Sequence, residues 1–274
     1  MVLLIPQRQT AVPMTDRFAA RLRAPHESRV MALTPVALYF ELGHLAAEIP
    51  DLATGPITPE LEQWLGRAST LVESSGSLAD TIQLRTAIGN LSGMLRARNA
   101  ETIAEIIQRA LAKAELKAPP KAQGMFIVAT NAFDSFAAVR KVLRTARSDV
   151  LLVAPDADAK VLTDFAVLAP DGVIVRLLAD EAEHKKSLEL AVRHWLRRFG
   201  RSRPLFVRVA AAGMPADTLI LVDGVVAWAL RRSFNKVAKS PYASLVRIPA
   251  QEAAAMIAAY AARWRAAEPM FRAE

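Results

Sequence analysis

An Asp-Gly pair at residues 223 and 224 separates two short apolar runs, 218–222 and 225–230, in the last quarter of this 274-residue chain. Aspartate followed by glycine readily adopts the backbone angles of a tight two-residue turn between antiparallel strands. Apolar runs of five or six residues bounded by such a turn are typical of buried strands. The pattern therefore predicts a β-hairpin whose turn lies at Asp223 and Gly224.

Strand-like and helical patterns alternate around this hairpin. The segment Ala-Pro-Pro-Lys at 118–121 breaks a preceding helical pattern and marks a boundary. Beyond it, short apolar runs predict strands at 125–129, 150–153, 173–178, 205–209, 218–222, 225–230 and 244–248. Helical stretches between them are predicted at 133–145, 158–168, 181–199 and 251–264. Such alternation indicates a sheet flanked by helices.

The first 117 residues have a different character. Residues 1–33 mix Pro, Gln, Thr and Arg without a period and predict a mostly unstructured arm. Residues 34–117 carry apolar side chains at helical spacing, and Thr58-Pro59 is typical of the start of a helix. The third helix is assigned an apolar face of Leu78, Ile82 and Leu84, and the fourth helix is expected from about residue 100 to 116. We therefore expect a mixed α+β or α/β protein with an arm at 1–33, a helical domain at 34–117 and a sheet-and-helix domain at 121–274.

Composition excludes several classes of site. The chain has no cysteine, which rules out disulfides, thiolate catalysis and cysteine-ligated zinc. Its four histidines, at 26, 44, 184 and 194, are not spaced as metal ligands, and no Gly-rich phosphate loop is present, so we expect neither a metal nor a cofactor. No apolar run is long enough to span a membrane, and the apolar start ends at Pro6 before Arg8, in the wrong order for a signal peptide. These features favour a cytoplasmic protein, and the Ala- and Arg-rich composition favours a bacterial source.

The positive charge is confined to the second part of the chain. Residues 1–120 carry 12 basic and 12 acidic side chains, so the whole net charge of +8 lies in 121–274. The densest basic feature comprises Arg193, Arg197, Arg198, Arg201 and Arg203, with no acid among them. Arginine pairs suit phosphate oxygens and an interleaved aromatic such as Trp195 can stack on a base, so the pattern indicates a nucleic-acid surface. The alternative is an amphipathic helix whose Trp195, Leu196 and Phe199 are core and whose arginines are merely solvated.

The hairpin and the residues after it resemble the active-site hairpin of the phospholipase D-like, or HKD, phosphodiesterases. That pattern is His-x-Lys/Arg-x-x-x-x-Asp, a Gly, a second strand, and then Gly-Ser-x-Asn. In this chain the His and Lys/Arg positions hold Ala216 and Thr218, and the Asp position holds Asp223. Ser233 and Asn235 match the final Ser-x-Asn, with Arg232 in place of the Gly.

The resemblance implies a single phospholipase D-like module at 121–274 that has lost its nucleophile and its phosphate-binding Lys. In the family the histidine attacks the phosphodiester and the lysine and asparagine hold the anionic oxygens. Here no intact catalytic residue remains, and Asp223, Ser233 and Asn235 are vestigial. The resemblance also implies a homodimer. A phosphate could still be bound by Arg231, Arg232, Ser233, Asn235 and Lys236.

Three functions follow from these observations. The first is a catalytically inactive, basic module that binds nucleic acid or another phosphate-bearing partner. The second is a protein–protein interaction or regulatory protein with a vestigial site. The third is a phosphodiesterase or nuclease with a displaced catalytic base, for which His184 is a candidate because it follows the end of a predicted strand.

Overall fold

The computed structural model of the chain describes residues 33–129, 132–237 and 244–271. The predicted arm at 1–33 therefore lies, except for its last residue, outside the described residues. Four helices open the described part: α1 (Pro35–Ala47), α2 (Pro59–Ser74), α3 (Leu78–Gly89) and α4 (Arg96–Lys117). They pack into one helical layer around a shared apolar cluster.

Polar side chains begin the first three of these helices. The hydroxyls of Thr34, Thr58 and Ser77 accept backbone N–H groups at the starts of α1, α2 and α3, which would otherwise have no partner within the helix. The face assigned to α3 is wrong in part: Leu84 is buried, but Leu78 and Ile82 are 75% and 57% exposed, because the side of α3 that packs against α2 and α4 is the one that carries Thr81, Leu84 and Ala87.

Within the described residues, eight strands form one mixed sheet. They are β1 (Phe126–Val128), β2 (Asp149–Val153), β3 (Ile174–Asp180), β4 (Leu205–Ala210), β5 (Thr218–Val222), β6 (Val226–Leu230), β7 (Ser244–Arg247) and β8 (Glu268–Pro269). Their order across the sheet is β1-β7-β6-β5-β2-β3-β4-β8. Strands β2, β3 and β4 are parallel and every other pairing is antiparallel. The predicted architecture, a helical N-terminal region followed by a sheet with helices, is confirmed.

Helices cover both faces of this sheet. They are α5 (Ala132–Leu143), a π-helical turn (Val161–Phe165) that continues into a 3-10 turn (Ala166–Leu168), α6 (Ser187–Phe199), α7 (Phe234–Val237) and α8 (Ala250–Ala266). The larger apolar cluster contains alternate residues of β2 and β5 together with α6, and α8 packs on the opposite face. Helix α6 begins at Ser187 and not at 181, because Lys185 donates its backbone N–H to Ala157 and thereby ties residues 181–186 into a turn.

The predicted hairpin is present as β5 and β6. Its turn residues Asp223 and Gly224 both have positive φ, of 51° and 64°. Such angles are required in the tight turns that match the twist of paired strands, and Asp-Gly tolerates them at little cost.

The helical layer and the sheet share packing along β1 and β7. Met125, Phe126 and Val246 belong to the apolar cluster of the four helices. A polar network adds to this contact: the Tyr39 hydroxyl donates to Glu115 Oε1 at 3.2 Å and accepts the backbone N–H of Met125 at 3.1 Å. These contacts hold α1 and α4 against the first strand of the sheet.

Candidate phosphate-binding edge of the sheet

Four loops meet at one edge of the sheet. Parallel strands β2 and β3 end here, and the antiparallel registers place the start of β5 and the end of β6 beside them, with Val153 opposite Leu219 and Thr218 opposite Leu230. We call this the loop edge. It contains the positions at which the family pattern places its His, Lys, Ser and Asn.

The two positions that would carry the chemistry hold inert side chains. Ala216 is exposed in the loop before β5, and Thr218 is buried as the first residue of that strand. A methyl group can neither attack phosphorus nor carry a proton, and a neutral hydroxyl does not supply the fixed positive charge of a lysine. This pair of positions therefore offers no phosphodiesterase chemistry.

Asp223 lies at the other end of β5, away from the loop edge. Five residues of strand separate it from Ala216 and Asn235, which corresponds to roughly 17 Å at 3.3 Å per residue. Its carboxylate accepts the backbone N–H groups of Arg147, Ser148 and Asp149 and the Ser148 hydroxyl, at 2.8–3.1 Å. The side chain thus attaches the hairpin turn to the segment that leads into β2.

This environment shifts the acidity of Asp223. Partial burial by itself would raise the pKa of the carboxyl, but the hydrogen bonds from Ser148, Asp149 and Arg147 favour the ionised form and lower the pKa from 3.8 to about 2. The turn is therefore held by a carboxylate at neutral pH.

Ser233 and Asn235 do lie at the loop edge, at the start of α7. Asn235 donates from Nδ2 to the backbone carbonyl of Asp156, 2.5 Å away, in the loop after β2. Its Oδ1 and the Ser233 Oγ are both buried and have no hydrogen-bond partner in the structure as described. Phosphate oxygens accept hydrogen bonds, so the Ser233 hydroxyl can donate to a phosphate that reaches it, whereas the amide oxygen of Asn235 can only accept. The asparagine matches the family pattern in type but is used here to tether α7.

The basic residues of this edge differ in what they contact. Arg231 is exposed and lies 3.5 Å from Glu48, just after α1. Lys236 is exposed and forms no ion pair with any described carboxylate. Arg232 is half-buried between them. Of the two exposed cations Arg231 and Lys236, Lys236 is thus the one that no described carboxylate pairs.

Asp180 is a structural residue of this edge that the sequence patterns did not single out. It is 1% exposed at the end of β3 and accepts the backbone N–H groups of Met214 and Ala182 at 2.7 and 2.8 Å. Burial opposes its ionisation, yet these hydrogen bonds, the one from Met214 foremost, lower the pKa of the carboxyl below its ordinary value. The carboxylate fixes the loop that carries Ala216. The signal in the sequence was an acidic residue at the end of a mainly apolar strand.

His184 lies in the loop after β3. Its Nδ1 is 2.7 Å from the backbone carbonyl of Asp180, and since a carbonyl can only accept, Nδ1 carries the proton. The neutral imidazole then presents Nε2 as an acceptor. However, β3 is separated from β5 by β2, so the loop begins about 10 Å from the vacated His position at the usual strand spacing.

The arginine cluster lies mostly on the solvent side of α6 and the turn after it. Arg193, Arg197, Arg198 and Arg201 are exposed and form no ion pair with a carboxylate of the described ranges. Arg203 differs, because it donates to Asp171 at 2.5 Å and to the Val167 carbonyl at 2.6 Å.

The aromatic part of the nucleic-acid interpretation is wrong. Trp195 is 2% exposed and donates its indole N–H to the Arg203 carbonyl, so its ring is core and cannot stack on a base. Phe199 is half-buried, whereas Leu196, assigned to the core in the alternative interpretation, is 45% exposed. The helix is therefore amphipathic, with a basic outer face.

The arginine cluster and the loop edge are separate surfaces. Helix α6 starts at the loop edge, just after β3, and runs back before β4 begins at the opposite edge. Its 13 residues correspond to roughly 20 Å of helix at 1.5 Å per residue. Residues 197–203 thus lie at the far end of α6 from Ser233.

The described residues contain neither a candidate metal site nor a candidate membrane span. No group of three or more His, Cys, Asp or Glu side chains is arranged to hold a metal ion within 33–129, 132–237 and 244–271. In the same ranges no helix is both long and apolar enough to cross a membrane.

Comparison with known proteins gives only remote likeness. No family model matches the sequence, and no curated protein does. Among solved structures, Nuc of Salmonella typhimurium, a phospholipase D family member, is 17% identical and covers 50% of this chain and 90% of its own, with a TM-score of 0.38. NucT of Helicobacter pylori is 10% identical over 51% of this chain and 92% of its own, with a TM-score of 0.39.

A third structure matches over most of the chain. The archaeal chromatin protein TrmBL2, described as having a novel mode of DNA binding, is 15% identical over 92% of this chain and 98% of its own, with a TM-score of 0.35. Phospholipase D family proteins are thus among the structural neighbours of this chain. At these identities and TM-scores, membership of the chain in that family is a proposal.

Proposed function

We propose that this protein is a basic nucleic-acid-binding protein built on a phospholipase D-like module that no longer uses the HKD chemistry. The observation that carries the proposal is the exposed set Arg193, Arg197, Arg198 and Arg201, which no described carboxylate neutralises. Ala216 and Thr218 stand where the HKD pattern has its nucleophilic His and its Lys, so the two groups that HKD cleavage requires are absent from those positions.

The geometry of α6 favours recognition of the phosphate backbone over recognition of bases. Guanidinium groups pair with phosphate oxygens, and each phosphate contact releases a condensed counterion. The buried Trp195 offers no stacking surface. We therefore expect binding with little sequence preference and a steep dependence on salt, and we expect the nucleic acid to remain intact.

Fluorescence anisotropy with labelled single- and double-stranded DNA and RNA, across a salt series, tests this function. The same samples are then run on a denaturing gel. Saturable binding that weakens steeply with salt, with intact oligonucleotide, supports the proposal. Absence of binding at low salt would contradict it and would favour the protein-interaction alternative. The resemblance further implies a homodimer, which sedimentation of the same samples measures.

One observation favours a second candidate, a nuclease with a displaced base. The hydrogen bond from His184 Nδ1 to Asp180 leaves Nε2 of the neutral ring able to take a proton. If the gel shows metal-independent cleavage, His184→Ala should abolish it while His194→Ala, on the exposed side of α6, should not. Cleavage that survives His184→Ala would remove this candidate.

A further inference from the structure

A cavity of about 530 Å³ opens between the helical layer and the sheet, at the edge opposite the loop edge. Its walls come from α1, the segment after α4, the β5–β6 hairpin, the end of β7 and the start of α8. This volume lies within the range of roughly 300–1,000 Å³ that is usual for small-molecule sites. The residues matched to the HKD pattern and the residues of the arginine cluster do not line this cavity.

The walls are apolar apart from two cations. Phe40, Met125, Val226 and Ile248 line the interior, and Val225 stands at the hairpin end of the wall with 71% of its surface exposed. The lining is therefore suited to a hydrocarbon chain.

Lys121 and Arg247 supply the charge of the lining, which contains no carboxylate. Both side chains are exposed, and neither forms an ion pair with a carboxylate in the described part of the chain. Helix α8 adds to this field, because Pro249 precedes it and no side chain caps its first turn. The N–H groups of its first turn that have no intrahelical partner lie at the same cavity wall, which Ala250 lines, while Glu252 of that turn is outside the lining.

We propose that this cavity binds a single-chain amphipathic carboxylate, with the hydrocarbon against Phe40, Met125 and Ile248 and the carboxylate on Lys121 and Arg247. Burial of the chain supplies the affinity, because each methylene removed from water adds a favourable contribution to binding. The two cations select an anion over an alcohol or an amine of the same length, because a carboxylate can accept charge-assisted hydrogen bonds from both.

The site is independent of the proposed nucleic-acid surface. The cavity involves β6 and β7, whereas α6 and the arginines after it connect β3 to β4, and β5, β2 and β3 lie between β6 and β4 in the sheet. Loss of one binding activity should therefore leave the other unchanged.

Isothermal titration calorimetry with dodecanoate, below its micelle concentration, tests the proposal on the full chain. Dodecanol and dodecylamine serve as neutral and cationic ligands of equal length. We expect saturable one-to-one binding of dodecanoate with a negative heat-capacity change, and binding of the other two that is at least about tenfold weaker.

Two variants separate the charge from the cavity. Lys121→Gln/Arg247→Gln should weaken dodecanoate binding roughly tenfold or more. Ala122→Trp should abolish binding by filling the cavity while leaving both cations in place. Lys117→Gln, an exposed lysine at the end of α4 that does not line the cavity, is the matched control and should bind as the unaltered protein does.

Three results would overturn the proposal. They are equal affinity for dodecanoate and dodecanol, unchanged affinity in the Lys121→Gln/Arg247→Gln variant, and no saturable binding of dodecanoate by the folded protein. Association with anionic phospholipid vesicles in the absence of dodecanoate binding would likewise contradict a free carboxylate ligand. Circular dichroism of each variant establishes that it is folded before titration.

Discussion

The ring of Phe126 lies against the backbone of Gly43, so close that a Cβ on residue 43 would overlap the ring. Phe126 is the first residue of β1 and Gly43 lies on the buried face of α1, so this contact joins the sheet to the helical layer. The ring is surrounded edge to face by Tyr39, Phe40 and His44, with centroids 5.3–5.9 Å away. A side chain at residue 43 would have to displace a ring that is enclosed on several sides.

Gly43→Ala should destabilise the protein despite the higher helix propensity of alanine. Overpacking of an enclosed site typically costs about 1–3 kcal/mol, which exceeds the roughly 1 kcal/mol gained from propensity. Gly66→Ala is the matched control, because Gly66 lies within α2 with nothing near its Cβ position and should become more stable. Urea denaturation measures both. Equal stabilisation of the two variants would show that the Phe126 contact is not tight.

Asp223→Asn should lower the free energy of unfolding at neutral pH. It should also reduce the loss of stability that acid causes in the unaltered protein. The carboxyl has a folded pKa of about 2 against an ordinary value of 3.8, so its stabilising effect is complete above pH 3.8 and is lost as the pH falls toward 2. Because the site is partly open to water, we expect a loss of about 1–2 kcal/mol.

Denaturant unfolding of the Asp223→Asn variant between pH 2 and pH 7 measures this effect. The difference from the unaltered protein should be largest above pH 4 and should shrink toward pH 2. Glu101→Gln, on the exposed side of α4, is a control that removes one carboxylate without removing a turn contact. A pH-independent difference would mean that the charge of Asp223 does not stabilise the turn.

Tyr39→Phe should weaken the attachment of β1 to the helical layer. The variant keeps the ring but removes the hydroxyl that bridges Glu115 and the Met125 N–H, at an expected cost of about 1–2 kcal/mol. Burial, with the nearby Glu115 carboxylate, raises the pKa of the Tyr39 hydroxyl to about 12, so the protonated form is the stabilising one. Its contribution is complete below pH 10 and is lost as the pH rises toward 12.

Thermal unfolding of the unaltered protein and of the Tyr39→Phe variant, at pH 7 and at pH 11, measures this contribution. The Tyr39→Phe variant should be less stable than the unaltered protein at pH 7, and the gap should narrow at pH 11. A difference in stability that stays constant with pH would show that the Tyr39 hydroxyl stabilises the protein equally well when it is deprotonated.

Arg193→Gln/Arg197→Gln should reduce both the affinity for duplex DNA and its dependence on salt. If each guanidinium contacts one phosphate, the slope of log K against log salt should become less negative by roughly 2. Arg98→Gln/Lys117→Gln, at two exposed cations of α4 without a described ion pair, lowers the net charge by the same two units and should leave the slope unchanged. Equal changes of the slope in the two variants would show that binding depends on the net charge of the protein and not on the arginines of α6.

Local sequence patterns were sufficient to predict the elements of this fold. The Asp-Gly turn, the apolar runs and the break at Pro119-Pro120 predicted seven of the strands in the structure and the order of helices between them. Two errors have identifiable causes: α6 begins six residues later than predicted because a tertiary hydrogen bond from Lys185 holds residues 181–186 in a turn, and the two-residue strand β8 is too short to carry a pattern of its own.

The candidate sites required the tertiary structure. The sequence identified Asp223 and Asn235 as remnants of one motif, but the fold places them at opposite ends of β5 and gives each a structural hydrogen-bonding role. It also could not show that Trp195 is core, because a ring every third or fourth residue fits both a stacking surface and an apolar face.

What the sequence determined by itself was the set of elements and the chemistry that is missing: no cysteine, no histidine at residue 216 and no lysine at residue 218. Only the tertiary structure decided which remaining groups share a surface, such as Lys121 and Arg247, which lie 126 positions apart in the chain and line one cavity. The physical reason is that hydrogen bonding and apolar periodicity act between near neighbours along the chain. Strand order and helix docking are set instead by packing between distant segments, which leaves no local pattern in the sequence.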